Sequence, residues 1–252
     1  MLDIEAGIKF EKSEYDEARA VYEAVLRMTD LKRHPYFHCN SLFNLVKIDL
    51  IMGKDEEHVL RGLDGAKEAA VRLGWKQGML FGERLMAGVH LMRGDTTRAR
   101  EAYTLCLQSY RRMFLLPGAT QSVEMLADLT HGMCDLEDTF RWAGTYLALV
   151  RVYTDVVATY QALRCLGDVF LAQGDAETGL SVFQAVLEGS TEMDIHRRRA
   201  DCMSRIGDIF MARGDREGAR KMWEDARPLF VRASQMKDVG SIDARLKFGQ
   251  LN

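Results

Sequence analysis

LGDVFLAQGDAETG (Leu166–Gly179) and IGDIFMARGDREGA (Ile206–Ala219) stand 40 residues apart and match in character along their length. Each reads as the end of an apolar helix, a Gly-Asp turn and the start of a second helix. Their turn glycines extend to a ruler. Ser13, Gly53, Gly94, Cys134, Gly174 and Gly214 fall at steps of 40, 41, 40, 40 and 40 residues. Glycine suits the left-handed conformation that ends a helix. The acid that follows at Asp95, Asp175 and Asp215 suits the cap of the next helix. A fixed period of this size marks a stack of repeats in which each unit buries its apolar face against its neighbours.

Two further columns follow the ruler. Five residues after each marker come Ala18, His58, Ala99, Thr139, Gly179 and Ala219, and twelve before those come Ala6, Val46, Ala87, Ala127, Gly167 and Gly207. Both are mostly small, which lets two antiparallel helices approach closely. Four residues past the later column stand Tyr22, Gly62, Tyr103, Ala143, Phe183 and Trp223, mostly large residues that fill the space between units. The pattern predicts helix pairs at 2–12/15–30, 37–52/55–74, 77–93/96–114, 119–132/135–153, 156–173/176–190 and 195–213/216–234. A final helix at 238–250, with Val239, Ile242 and Leu246 on one stripe, is expected to cap the stack. Pro35 and Pro117 are expected in connections, and Pro228 is expected to kink or break its helix near Arg227. The first helix is short, so the first repeat has little N-terminal cover; its face is expected to be solvated, or the chain to be a piece of a longer array.

Composition agrees with an all-helical chain that folds. Hydrophobic residues make up 47% of the 252, and there are only 3 prolines. A net charge of −3, from 34 bases and 37 acids, gives no global attraction to nucleic acid or to an acidic membrane. Five scattered cysteines without a C-x-x-C pair suggest a reducing compartment. The N-terminus MLDIEAGIKF has no signal-peptide pattern, and no apolar run is long enough to span a bilayer. The expected location is the cytoplasm.

The columns resemble those of the tetratricopeptide repeat, with the two opening segments as the best copies. The commonest period of that repeat is about 34 residues, so the extra residues here lengthen helices or connections. HEAT repeats are the structural alternative, but the Gly-acid turn occurring together with both small columns favours the tetratricopeptide type. A narrower resemblance covers Val150 to Leu246. The run LRCLGDVFLAQGDAETGLSVFQAVLEGSTEMDIHRRRADCMSRIGDIF and the later MWEDARPLFVRASQ look like the C-terminal repeat region of fungal NLR-like signal-transduction ATPases (the STAND type). That resemblance implies an array that senses a ligand and restrains an ATPase encoded before it. No G-x-x-x-x-G-K-[ST] occurs here, and Gly53-Lys54-Asp55 lacks both the first glycine and the hydroxyl. The resemblance therefore implies the sensor part alone, or a stand-alone relative.

In tetratricopeptide stacks the first helix of each pair lines the concave groove, and residues there recur as ladders. Lys47, Gly88, Asp128, Asp168 and Asp208 form one, whose three carboxylates favour a basic ligand segment. Phe43, Arg84, Glu124, Arg164 and Ser204 form a second, in which Arg164 lies one turn from Asp168 and can pair with it. Asn40, Phe81, Gln121, Gln161 and Asp201 form a third. Leu50, Leu91, His131, Leu171 and Met211 form a fourth, with Leu171 and Met211 as candidate apolar anchors. No pair of positions carries the Lys-then-Asn of a carboxylate clamp. The basic run His196-Arg197-Arg198-Arg199 opens a helix, where cations oppose the helix dipole, and hints at an anionic partner. No histidine spacing suggests a metal, and no cofactor is expected.

The expected fold is thus an all-α, right-handed superhelical solenoid of about six helix-turn-helix repeats with a C-terminal capping helix, forming a single array over residues 1–252. The expected function is non-catalytic binding of a protein or peptide in the concave groove, using Lys47, Arg84, Asp128, Arg164, Asp168, Leu171, Asp208 and Met211, with neither nucleic acid nor membrane as partner. Two other readings are a peptide-signal receptor that changes curvature on binding, and an enzyme or enzyme subunit.

Overall fold

A computed structural model describes residues 2–153 and 155–248. Among the described residues there are thirteen helices and no strand: α1 (Leu2–Glu11), α2 (Tyr15–Met28), α3 (Pro35–Ile51), α4 (Glu56–Arg72), α5 (Lys76–Met92), α6 (Thr96–Arg112), α7 (Leu116–Gly132), α8 (Leu136–Tyr153), α9 (Val156–Ala172), α10 (Ala176–Glu192), α11 (His196–Ala212), α12 (Arg216–Arg232) and α13 (Met236–Phe248). The sequence-derived bounds differ by at most 3 residues. Residues 249 and 250 of the expected capping helix lie outside the described residues.

From Glu56 onward every helix starts 20 residues after the last. The reason is the link. Most of these helices are 17 residues long and end in a left-handed residue. Gly94 N–H donates to Leu91 and Asp95 N–H to His90, at 3.0 and 2.9 Å, and Gly174/Asp175 and Gly214/Asp215 repeat the pattern. The chain reverses in three residues, Arg93-Gly94-Asp95 for example, and the third caps the next helix. Asp55, Asp95, Asp135, Asp175 and Asp215 each accept a bond from the backbone N–H three residues on. All six residues of the ruler have positive φ, including Ser13 at 66° and Cys134 at 59°.

A second left-handed set joins one repeat to the next: Gly74, Phe114, Asp194 and Ser234, with φ of 62°, 55°, 55° and 52°. Only one of these is glycine, so composition does not mark them.

The small columns face the large one. A methyl group on Gly207 would come within 2.5 Å of the Trp223 indole nitrogen, and one on Gly167 within 2.7 Å of the Phe183 ring. Repeat 2 departs from the expected register. Its turn, Gly53-Lys54-Asp55, has one residue more than Gly94-Asp95, so the inward positions of α4 move on by one. Val59 and Leu63 are fully buried, whereas His58 and Gly62 are exposed. His58 instead reaches Asp49, 3.2 Å from its Nε2.

The prolines are also placed differently from expectation. Pro35 and Pro117 lie in the first turns of α3 and α7, where a missing N–H costs no helical bond. The break expected at Arg227 is absent, and α12 runs through Pro228. Arg227 and Pro228 face solvent while Trp223, Ala226 and Phe230 are buried, so the apolar stripe holds the helix across the lost bond.

The chain forms two compact units. The first comprises Met1–Phe10 and Tyr15–Leu129, the second Glu11–Glu14 and Thr130–Asn252. Unit 1 is centred on a cluster that includes Phe43, Val46, Val59, Leu63, Leu85 and Val89. Unit 2 has one core cluster at Phe183, Val186, Ile206 and Ile209 and another at Trp223, Phe230, Val239 and Ile242. The second of these is where α13 covers its neighbour. Among the described residues no helix is long and apolar enough to cross a membrane.

Candidate functional site

The faces that carry the ladders belong to the first helices of the pairs. In unit 2 these are α9, α11 and the cap α13. On α9, Arg164 and Asp168 are one turn apart and paired at 2.6 Å, as their spacing predicts. Arg205 of α11 reaches the other carboxylate oxygen of Asp168 at 2.7 Å. Asp168 is only 2% exposed and Arg164 only 7%. Burial alone pushes the Asp168 carboxyl upward, but the guanidiniums of Arg164 and Arg205 more than reverse that and hold it below the usual carboxylate range.

The next rung repeats the geometry closer to solvent. Arg245 of α13 brings Nε to 2.9 Å and Nη2 to 3.0 Å from the carboxylate of Asp208. Here burial outweighs Arg245 and Arg205, and the Asp208 carboxyl is raised. A third rung joins Arg198 to the amide oxygen of Gln161. In all three the arginine lies 37 residues after its acceptor. That spacing is one repeat less about one helical turn, which sets a long side chain leaning back across the neighbouring first helix. Sequence reasoning missed Arg205 and Arg245 and gave Arg198 a different role, although the 37-residue spacing was there to be counted.

The apolar candidates of unit 2 are partly buried. Leu171 packs against the cluster that holds Leu180 and Phe183. Met211 packs beside Trp223 and lines a cleft of about 250 Å³ with Arg216, Arg220, Arg245 and Leu246.

The basic run is used inside the protein. His196 is fully buried, and burial lowers its pKa and favours the neutral ring. Arg197 lies 3.9 Å from Asp201, Arg198 holds Gln161, and Arg199 lies 3.3 Å from Asp194. Its charges are met by its own chain.

Unit 1 fills the same ladder positions with rings. The Lys47 ammonium sits 3.8 Å above the ring of Phe10. Arg84, 7% exposed, lies 4.8 Å from the centre of Phe81, which stacks on Phe43 at 5.2 Å. Arg84 also bonds Tyr110 and draws its hydroxyl pKa down, though burial raises it on balance; burial carries Tyr103 to about 12. Asp128 is half-buried on α7. The gap at Gly88 is closed by Leu50, whose side chain would meet an added methyl at 3.2 Å. Among the described residues no group of three or more His, Cys, Asp or Glu side chains could hold a metal ion.

No family model and no curated protein matches the chain. Solved structures do match. A Rap protein complexed with Competence and Sporulation Factor superposes with a TM-score of 0.67 at 11% identity, over 99% of this chain and 73% of that one. A signal transduction ATPase with numerous domains from Pyrococcus horikoshii, carrying a tetratricopeptide repeat sensor, gives 0.59 at 13% identity over 99% of this chain. The fold is a tetratricopeptide-repeat fold. NprR in complex with its cognate peptide NprX gives 0.59 at 13% identity, over 93% of this chain and 72% of that one. The chain spans only 40% of the length of the Pyrococcus ATPase. At these identities the likeness is one of fold. Within this tetratricopeptide array no first helix carries the Lys-then-Asn pair of a carboxylate clamp at the two corresponding ladder positions.

Proposed function

We propose that this tetratricopeptide array is a non-catalytic regulatory scaffold that binds a protein or peptide on its first-helix faces. The observation that carries this reading is the charge on those faces. Stacking alone needs only apolar contacts, yet α9, α11 and α13 present Arg164, Asp168, Arg205, Asp208 and Arg245 in one ordered row. A row of fixed, alternating charges gives register and specificity to an extended ligand more than it gives stability. Asp168 anchors the row from within. Asp208, with its side chain 31% exposed, is the carboxylate a basic ligand segment would reach, by exchanging with Arg245. Met211 in the adjoining cleft is the apolar anchor, and Leu171 supports the wall behind it. In unit 1, Lys47, Arg84 and Asp128 occupy the corresponding positions.

NprR in complex with its cognate peptide NprX, and Rap complexed with Competence and Sporulation Factor, support a bound signal such as a peptide as ligand, and a change of curvature is the response proposed for it. Restraint of an ATPase module is the corresponding role suggested by the Pyrococcus protein. The free thiols, of which Cys39, Cys106, Cys165 and Cys202 are buried, support a reducing, cytoplasmic location.

The test is selection of displayed dodecapeptides on the full chain, followed by titration of the selected peptides against wild type, Asp208→Lys and Met211→Glu. Loss of at least about tenfold in affinity in both variants is expected. Equal affinity for all three proteins, or selection of nothing above background, would remove the assignment.

A further inference from the structure

The edge of unit 1 where second helices end and first helices begin carries unbalanced charge. Lys32, Arg33, Lys76, Arg111 and Arg112 are all exposed there, and none has a side-chain hydrogen bond or ion pair among the described residues. Cations elsewhere in unit 1 are largely matched, as in Arg93–Glu56 at 2.6 Å and Lys67–Glu83 at 2.7 Å. Few acids stand close to this edge, and of these Asp30 keeps its charge while Glu68 and Glu83 are neutralised by partners. Asp30 accepts the backbone N–H groups of Lys32 and Arg33, Glu68 pairs with Arg72, and Glu83 with Lys67. The first turns of α3, α5 and α7, which open on the same edge, contain no acid. The positive ends of these three helix dipoles are offset by the negative C-terminal ends of α2, α4 and α6 at the same edge, so the field comes from the five side chains.

Large apolar side chains stand among these charges. Tyr36 and Phe37 are 57% and 56% exposed, and Phe114 is 88% exposed. The surface is continuous from one repeat to the next. Tyr36 meets Trp75 edge-on at 5.9 Å, and the neighbouring Lys76 shares an open cleft of about 370 Å³ with Met79, Leu80, Glu83, Ser109, Arg112 and Met113, in which the one carboxylate, Glu83, is paired with Lys67. The methionines give that cleft adaptable walls, and the two cations stand at its rim.

We propose that this edge docks an acidic peptide segment of a partner protein, which seats an apolar anchor between α5 and α6 and aligns its carboxylates with Lys76, Arg111 and Arg112. The apolar side chains of Met79, Leu80 and Met113 set between Lys76 and Arg112 suit a peptide that carries an apolar side chain among its acids. The cleft uses Lys76, Met79 and Leu80 of α5 and none of the ladder positions Lys47, Arg84 and Asp128, so it stands or falls separately from the function proposed above.

The probes are fluorescein-labelled peptides that share Leu and Phe anchors and differ in net charge, roughly −6, 0 and +6, titrated by polarisation against the full chain. The most acidic peptide is expected to bind at least about tenfold more tightly than the neutral one, with the advantage shrinking as salt rises. The double variant Lys76→Glu/Arg112→Glu is expected to abolish that advantage, and Met113→Asp to weaken the acidic peptide about tenfold. All three positions are on the surface, and an unchanged far-ultraviolet spectrum reports that the fold is kept. Affinity that does not vary with peptide charge, or a charge advantage that survives the double variant, overturns the proposal. So does binding to phosphatidylserine vesicles, lost in the double variant, when no peptide binds.

Discussion

The two units hold the same positions with different chemistry. In unit 1 the first-helix ladder is filled by rings under cations: Phe10 beneath Lys47, and Phe81 beneath Arg84. In unit 2 it is filled by carboxylates between guanidiniums: Asp168 with Arg164 and Arg205, and Asp208 with Arg245. A repeat backbone that satisfies its own hydrogen bonds and stacks through Ala, Gly and large apolar columns leaves these positions free to differ. Cation–ring contacts tolerate small displacements and depend weakly on pH. Buried ion pairs demand geometry and fail abruptly when one member is lost. The stack therefore makes a forgiving face and an exacting one from the same element.

The largest expected effect breaks the exacting face. Asp168→Ala leaves Arg164 buried without its acid and is expected to cost about 3–5 kcal/mol by urea denaturation. The same carboxylate gives a signed pH dependence. Its folded pKa is depressed, so its contribution is present above the ordinary carboxylate value of 3.8 and is lost as pH falls through the lowered folded value. Melting curves between neutral pH and pH 3 should show a loss that is smaller in Asp168→Asn. Asp208 is shifted the other way, so its ionised form at neutral pH is disfavoured by folding, and Asp208→Asn should stay within about 1 kcal/mol of wild type.

The next effect tests the register of repeat 2 in unit 1. Leu63→Ala is expected to cost about 2–5 kcal/mol, and the adjacent Gly62→Ala much less. Reversed magnitudes would restore the register without the inserted Lys54.

Gly207→Leu in unit 2 forces a side chain into the ring of Trp223 and is expected to cost about 1–3 kcal/mol. A melting curve unchanged by it would refute the role of the small column. The smallest effect is on the forgiving face, where Lys47→Met should change stability by less than about 1 kcal/mol.

Most of the fold was legible because its punctuation is chemical. Gly94, Gly174 and Gly214 mark left-handed helix ends, and the aspartates after them mark caps. What was hidden had no such mark. Phe114, Asp194 and Ser234 adopt the same left-handed conformation with ordinary side chains, because the helix-ending bonds on either side impose it. The register shift in repeat 2 comes from a single polar residue, Lys54; the 41-residue step and the spacing of Val59, Leu63 and Ala66 carry its signal, which aligning every repeat on the turn glycine overlooks. Pro228 does not break α12, because the helix is held from the opposite, buried side. The site was half legible. Arg164 and Asp168 pair as their i, i+4 spacing predicts, but Arg205 and Arg245 come from the following first helix, and reading along one helix could not find them.

The most direct measurement is a double-mutant cycle on Asp168→Ala and Arg205→Ala, followed by urea denaturation. Neighbouring first helices locked by a cross-repeat ion pair predict a coupling of about 1–3 kcal/mol between the two sites. Losses that simply add, to within about 0.3 kcal/mol, would contradict the exacting face of unit 2 and the distinction between the units.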